Sequence, residues 1–306
     1  MDKQYFPEIF KDPFDFETTN DLEGTWKTIA EEILNEHPEE REQKIAEFQK
    51  AFQNDPEVSK WRTPGETSRF EDRKHMIQYL RAGLWDVNTA LHILRQYLAS
   101  GHLYPGIVKA SVPMLLEKVW SKKLLAATEY RDVYGRRIYI YRPGAWNPDD
   151  IPVNELFAGA YLMFEMMAWE MKTQIAGITM VCDLAGFGFK HLRNIGMEQV
   201  RCMTSFMSGA FPIWVRRIHV CNNPRLFGVL FNMMSPLMDE RSKKNMVFHG
   251  NDFTLLHKEV PVFLLPKSLG GSGELNNDVS VKILMERNEY YEEMREHTLK
   301  HTSTKK

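Results

Sequence analysis

Gly177-Ile178-Thr179-Met180-Val181-Cys182, closed by Asp183, is the stretch that decides the fold. It carries no charge before Asp183, is β-branched at Ile178, Thr179 and Val181, and is too short for an ordinary helix, so it reads as a strand. Outward from it, similar short runs stand at Ile138-Tyr139-Ile140-Tyr141, at Val215 to Val220 and at Val262-Phe263-Leu264-Leu265. Helical patterns fill the intervals at about 153–173, 189–209 and 224–238. Strands alternating with helices predict an α/β fold on a mostly parallel sheet with crossover helices. Asp183 is the one acid in a tempting place, and a cap or loop hydrogen bond is its expected role.

Upstream, from residue 22 to about 101, the period is helical throughout. Leu22, Trp26, Ile29 and Ile33 keep it, as do Ile45, Phe48 and Phe52, then Met76, Ile77 and Leu80, and then Val87, Ala90, Leu91, Leu94 and Leu98. Asp55-Pro56, Thr63-Pro64-Gly65 and Tyr104-Pro105-Gly106 punctuate these helices, and Asp86 is placed to cap the one that follows it. Asp278 to about Lys300 resumes a charged helical pattern, and His301 to Lys306 is expected to fray. The expected organisation is a helical N-terminal domain over 1–105, an α/β domain over 106–275 and a C-terminal helix and tail over 276–306.

At 306 residues and 43% hydrophobic, the chain can bury a sizeable core. Its 39 basic and 41 acidic residues leave a formal charge of −2, so no global field favours nucleic acid and none is expected as a partner. Cys182, Cys202 and Cys221 show no C-x-x-C spacing and read as small hydrophobes in a reducing compartment. The opening MDKQYFPEIFKDPFDF has neither a basic region nor a continuous apolar one, so it is not a secretory signal and a cytoplasmic location is expected. The longest apolar run, Leu156 to Phe164, stops at Glu165, short of the roughly 20 residues a bilayer span needs. Membrane contact is therefore expected to be peripheral and transient.

Leu226 to Met238, LFGVLFNMMSPLM, carries no charge over thirteen residues. Phe227, Leu230, Phe231, Met234 and Leu237 make one apolar stripe, while Leu226, Val229, Met233 and Met238 fill much of the remaining face. An element that needs cover on two sides reads as a gate over a lipophilic cavity, with Gly228 and Pro236 as its flexible or kinked points. Two further helices are rich in Met and Phe. Leu156 to Trp169 is apolar all round, with Gly159 and Ala160 leaving room beside bulky neighbours, and Met197, Val200, Met203, Phe206 and Met207 keep helical spacing in the next. Such helices are normally plain core. Three in succession, in a chain with 17 Met, fit a pocket that adapts to an irregular apolar guest. Beside the gate, Arg216, Arg217, Arg241, Lys243 and Lys244 could draw anionic head groups at about 1 kcal/mol per basic residue near the surface, although charge runs are usually solvated faces.

Catalytic signatures are missing. Gly186-Phe187-Gly188 follows a strand, but His191 occupies the third glycine position of a dinucleotide loop, and Gly270-Gly271-Ser272-Gly273 is a turn rather than a nucleophile elbow. His219, His249 and His257 have no metal spacing, and no carboxylate pair stands out. No catalytic residue, metal or cofactor is expected.

Segments spread over the chain, from about 22 to 275, together resemble the CRAL-TRIO lipid-transfer family. They are Tyr79-Leu80-Arg81-Ala82, Ile140-Tyr141-Arg142 with Trp146-Asn147-Pro148, Gly177 through Asp183-Leu184 with Gly186, and Ala210-Phe211-Pro212 leading to Arg216. Ile218-His219, Asn222 with Pro224, His249-Gly250 and Leu265-Pro266 before Gly270-Gly271 follow in order. The resemblance implies a helical N-terminal domain, an α/β lipid-binding domain, a mobile lid helix over Asn222 to Asn245, and no catalysis. It places a hydrophobic ligand on Tyr141, Phe157, Ala160, Phe164, Ile178, Cys182, Phe187, Met203, Phe206, Met207, Phe211, Val215 and Ile218. The lid falls on Phe227, Leu230, Phe231, Met234, Leu237 and Met238. The chain departs from the family's tocopherol branch where that branch is similar to a phosphoinositide sensor: Gly83, Trp214 and Asn245 replace basic residues, leaving Arg241, with Arg81, Arg216, Arg217 and Lys244 nearby. Cys182 stands where the retinaldehyde branch has an acid, and Ala160 and Phe164 where the tocopherol branch resembles a pair of serines. The expectation is a monomeric carrier that exchanges a tocopherol-, retinoid- or carotenoid-like molecule at membranes. The alternative is a regulatory module binding phosphoinositides such as phosphatidylinositol bisphosphate without shuttling, and a hydrolase or dehydrogenase on the same layers ranks third.

Overall fold

The computed structural model describes residues 3–16, 22–60, 69–207 and 211–303. Thr63-Pro64-Gly65, Gly209-Ala210 and residues 304–306 lie outside the described residues. One six-stranded sheet runs in the order β1 (Phe10–Lys11), β2 (Leu125–Arg131), β3 (Arg137–Tyr141), β4 (Ile178–Asp183), β5 (Val215–Cys221) and β6 (Met246–Gly250). The first two pairings are antiparallel, and β3 through β6 are parallel. The α/β reading with a mostly parallel sheet therefore holds.

The fourth expected strand, Val262 to Leu265, does not form. Val262–Leu264 is a single 3-10 turn entered from Pro261, with Val262 and Phe263 respectively 40% and 60% exposed. The parallel edge strand is Met246–Gly250 instead, whose half-covered side chains and terminal His249-Gly250 lack the two-sided apolar signature of an interior strand. β2 mixes Thr128, Glu129 and Arg131 into its run, and β1 is two residues long, so neither announces itself by pattern.

Strand alternation separates two apolar layers. Tyr139, Tyr141, Ile178, Met180, Ile218 and Val220 face the crossover helices Val153–Ala168 and Met197–Met207, within the larger core. Ile138, Ile140, Val181 and Cys221 face the other way, onto Leu256, Val260, Leu265 and Leu269. The Val153–Ala168 helix is buried from Leu156 onward, which explains its lack of a polar side. Gly159 packs closely there: a Cβ would lie 2.7 Å from Leu125 Cδ1, so a larger residue would push that side chain aside. The helix stops at Trp169 and restarts at Met171–Ala176, so the expected continuous 153–173 helix is two.

Glu170, at that break, is fully buried between two fully buried arginines. Arg137 donates to it through Nε at 3.1 Å and through Nη2, and Arg131 Nη2 lies 2.8 Å away. Arg131 Nε and Lys172 also pair with Asp12 at 2.6 and 2.7 Å, which fastens the N-terminal segment carrying β1 to the sheet. Burial alone would raise the Glu170 carboxyl pKa; the charges of Arg131 and Arg137 and the hydrogen bonds from Arg137 and Thr173 outweigh it and hold the pKa below the usual range.

The upstream helices include Gly24–Leu34, Arg41–Asn54, Pro56–Ser59, Arg73–Ala82 and Val87–Leu98. Asp86 caps the last of them, accepting from Thr89 N at 2.8 Å. Asp278–Glu286 and Asn288–Ser303 split the charged C-terminal pattern at Arg287. Among the described residues, no helix is long and apolar enough to cross a membrane.

Candidate functional site

Between the sheet and the crossover helices lies a cavity of about 50 Å³. Its floor is the helix-facing side of the sheet: Tyr139 and Tyr141 from β3, Met180 and Cys182 from β4, Ile218 and Val220 from β5, and Met246 from β6. The register sets these side by side, Tyr139 opposite Met180, Tyr141 opposite Cys182, Met180 opposite Ile218. Phe157, Ala160 and Phe164 project from one crossover helix, and Met203, Phe206 and Met207 from the next. Pro143 and Leu184, just past the carboxyl ends of β3 and β4, lead to Phe187 and Ile195 at one end, where open α/β sheets usually take ligands.

Phe227, Leu230 and Met234 close the cavity from the Phe227–Met234 helix, one turn apart on its inner face. Pro236 tightens the next three residues into a 3-10 turn, Ser235–Leu237. The other residues expected in a lid, Phe231, Leu237 and Met238, do not touch the cavity. Phe231 turns sideways onto Phe248, with ring centroids 5.6 Å apart; Met238 is buried in the main core; and Leu237 is exposed. Val229, Leu237 and Phe248 are each 46–49% exposed, so the surface around the Phe227–Met234 helix is apolar outward as well as inward.

Three expected pocket residues stand off the cavity. Ile178 and Val215 are register partners at the amino ends of β4 and β5, behind the floor. Phe211 is buried in an aromatic cluster with Tyr97, Tyr161, Phe164 and Phe206. Conversely, Tyr139, Pro143, Met180, Leu184, Ile195, Val220 and Met246 line the cavity without having been expected. Strand parity could have supplied Tyr139, Met180 and Val220, since each stands two residues from an expected floor residue.

The lining contains no carboxylate and no cation among the described residues. Burial raises the Cys182 thiol well above its ordinary pKa, so it stays protonated and is no nucleophile. His191, at the failed third glycine position, has a positioning role. Its Nδ1 accepts from Gly188 N at 3.0 Å, its Nε2 lies 2.8 Å from Trp146 O, and its ring stacks on Phe187 at 5.2 Å. Asp183 behaves as a loop acceptor, taking hydrogen bonds from Ala185 N, Asn222 Nδ2 and Ser268 Oγ at 3.0, 2.8 and 2.5 Å.

The basic residues do not gather into one patch. Arg216 occupies the irregularity in the β4–β5 register, and Arg217 beyond it pairs with Glu259 at 3.0 Å on the sheet face away from the cavity. Arg81 is buried against Glu36 at 2.9 Å, and Lys243 pairs with Glu240 at 2.8 Å, while Lys244 is exposed. Arg216 and Arg241 both lie over the Trp214 ring, 4.9 and 3.7 Å from its centroid. Arg241 also lines a groove of about 570 Å³ with His92, Gln96, Arg201, Trp214 and Leu237, and no acidic side chain is among its described lining residues. Arg201 and His92 carried no sequence signal for this role, because they come from separate helices.

On the face away from the cavity, His219 Nδ1 and His249 Nε2 are 2.8 Å apart, and Glu259 Oε2 lies 3.2 Å from His219 Nε2. Among the described residues no group of three such side chains is arranged to hold a metal.

The CRAL/TRIO domain matches residues 121–271, which span β2 to the turn after the 3-10 elements. Alpha-tocopherol transfer protein-like from Homo sapiens is 28% identical over 206 residues, 67% of this chain and 60% of that protein. The aligned stretch thus spans about 60% of the length of such relatives. Clavesin-1 from Xenopus laevis is 23% identical over 242 residues, 78% of this chain and 70% of that one. A crystal structure of Sfh5 superposes with a TM-score of 0.48 and 12% identity, covering 82% of this chain and 98% of that one. Residues 121–271, just under half of the chain, form a CRAL/TRIO domain.

Proposed function

We infer that the chain is a non-catalytic carrier that holds a small hydrophobic molecule, of tocopherol, retinoid or carotenoid type, in the cavity and exchanges it at membranes. The observation that supports this reading is a cavity whose described lining holds no carboxylate and no cation, closed by the Phe227–Met234 helix. Its relatives include proteins named for tocopherol transfer, in agreement with such a cargo.

The closed cavity is far smaller than such a molecule, so loading has to move the lid and re-pack the lining. Met180, Met203, Met207, Met234 and Met246 suit that demand, because an unbranched thioether changes rotamer at small cost. A lipophile with about 400–500 Å² of apolar surface gains on the order of 10 kcal/mol by leaving water, before binding costs. Escape into solvent is then slow, whereas a bilayer removes most of the penalty. Val229, Leu237 and Phe248 already offer apolar surface to the acyl boundary in the closed state, so opening can be favoured at a membrane. The experiment is to identify by mass spectrometry what co-purifies with the protein or is taken up from a lipid extract. A clean protein that takes up no hydrophobe ends the carrier reading.

The groove holding Arg201 and Arg241 beside Leu237 favours a second reading, a module that binds anionic lipid, phosphoinositides included, without shuttling. Arg201→Glu with Arg241→Glu separates the two. A sensor loses liposome binding and has no cargo to lose, whereas a carrier loses transfer rate but keeps its cargo.

A further inference from the structure

Tyr139 is fully buried, lines the cavity floor, and has a hydroxyl with no hydrogen-bond partner among the described residues. Its ring meets Phe164 edge-on at 5.6 Å and its register neighbour is Met180; the polar groups nearest it, the Tyr141 hydroxyl and the Cys182 thiol on the same floor, make no hydrogen bond to it. Buried tyrosines normally satisfy their O–H, and an unmet one destabilises the fold that contains it. The parity of β3 gives the chain no freedom to turn the side chain away, because the opposite face is the packed layer of Ile138 and Ile140. Burial pushes the Tyr139 pKa well above its ordinary value, so the group stays a neutral donor. The same lining holds no cation, and an ionised carboxylate or phosphate inside it would be desolvated without a counter-charge.

Resting on the carrier reading above, we propose that the Tyr139 hydroxyl is the docking point for the polar end of the cargo. The cargo is a neutral lipophile that reaches the sheet floor with one hydrogen-bond-accepting oxygen, as in an alcohol, an aldehyde or ketone, or an ester. An ionised fatty acid or a phospholipid head group is excluded from this end of the cavity. The apolar lining takes the hydrocarbon body without specifying it, so Tyr139 supplies the orientation and the discrimination between oxygenated and plain hydrocarbon guests.

The test is a double-mutant cycle between Tyr139→Phe and the ligand oxygen. Three chromophoric probes on one skeleton are titrated into delipidated protein: retinal, its parent hydrocarbon axerophthene, and retinoate. Wild type is expected to bind retinal about five- to tenfold more tightly than axerophthene, the effect of one neutral hydrogen bond, and to bind retinoate more weakly than retinal. Tyr139→Phe is expected to abolish the preference for retinal while leaving axerophthene affinity unchanged, and to leave the ligand-free protein no less heat-stable than wild type. The carbonyl stretch of bound retinal provides a second readout on wild type alone, and is expected at lower wavenumber than in an alkane. Equal loss for both neutral probes in Tyr139→Phe, no loss for either, an unshifted carbonyl stretch, or retinoate binding as tightly as retinal overturns the assignment of Tyr139. A wild-type protein that binds none of the three overturns the carrier reading itself.

Discussion

Filling the cavity from Ala160 is expected to stabilise the protein and to shut out its cargo. Ala160 lies on the buried Val153–Ala168 helix and lines the void, so a longer side chain grows into open space rather than into the sheet. A cavity of about 50 Å³ has room for a few water-sized spheres, enough for the three added carbons of Ala160→Leu. Those carbons gain about 2.4 kcal/mol by transfer from water, at about 0.8 kcal/mol each. Rotamer ordering removes about 0.5–1 kcal/mol, leaving a net gain of about 1.5 kcal/mol. For a chain of this size that raises Tm by about 2 °C. Thermal unfolding of delipidated wild type and Ala160→Leu measures the first effect, and uptake of a lipophilic chromophore measures the second. A fall in Tm would mean that the lining is already interlocked and the new side chain overpacks it. A rise in Tm with uptake unchanged would mean that cargo is held elsewhere. Either result refutes the reasoning.

The buried arginine pair should be intolerant of losing its acid. Glu170→Gln leaves Arg131 and Arg137 without their shared carboxylate and is expected to cost about 3–5 kcal/mol in urea denaturation; a cost below about 1 kcal/mol would refute the electrostatic account. His249 should make the fold sensitive to mild acid. Burial, and after it the neighbouring His219, depress its pKa below the ordinary 6.5, against weaker opposing contributions from Glu259 and Asp252; Arg217 also faces the cluster through Glu259. The unfolded chain therefore takes up that proton first as pH falls, so stability is full above about 6.5 and declines below it. Denaturation at pH 7.5 and 5.5 should show a loss that His249→Asn reduces, and an undiminished loss in the variant would rule His249 out. Asp86→Ala removes the cap on Thr89 N and is expected to cost about 1 kcal/mol, read in the same assay; no change would mean that the helix start is held by packing alone.

The alternation around Gly177 to Cys182, the helical periods upstream and the three Met- and Phe-rich helices are local features, and they carried the α/β class, the crossover layer and the inner stripe Phe227, Leu230 and Met234. Burial of one side of an element leaves a periodic trace in the chain, so such features can be read without coordinates. Where the trace was weak, as in the two-residue β1 or the edge strand Met246–Gly250, the reading missed the element, and the apolar Val262 to Leu265 run imitated one. The placement of Arg217 behind the sheet depended on the irregularity at Arg216, and the basic groove on Arg201 and Arg241 arriving from distant segments. The Met- and Phe-rich helices pointed to a pocket, but the size of the void and the unpaired Tyr139 hydroxyl left no sequence trace. An apolar side chain looks the same in a solid core and beside a cavity; only the close packing of neighbours far apart in the chain, and the gap it leaves, distinguishes the two.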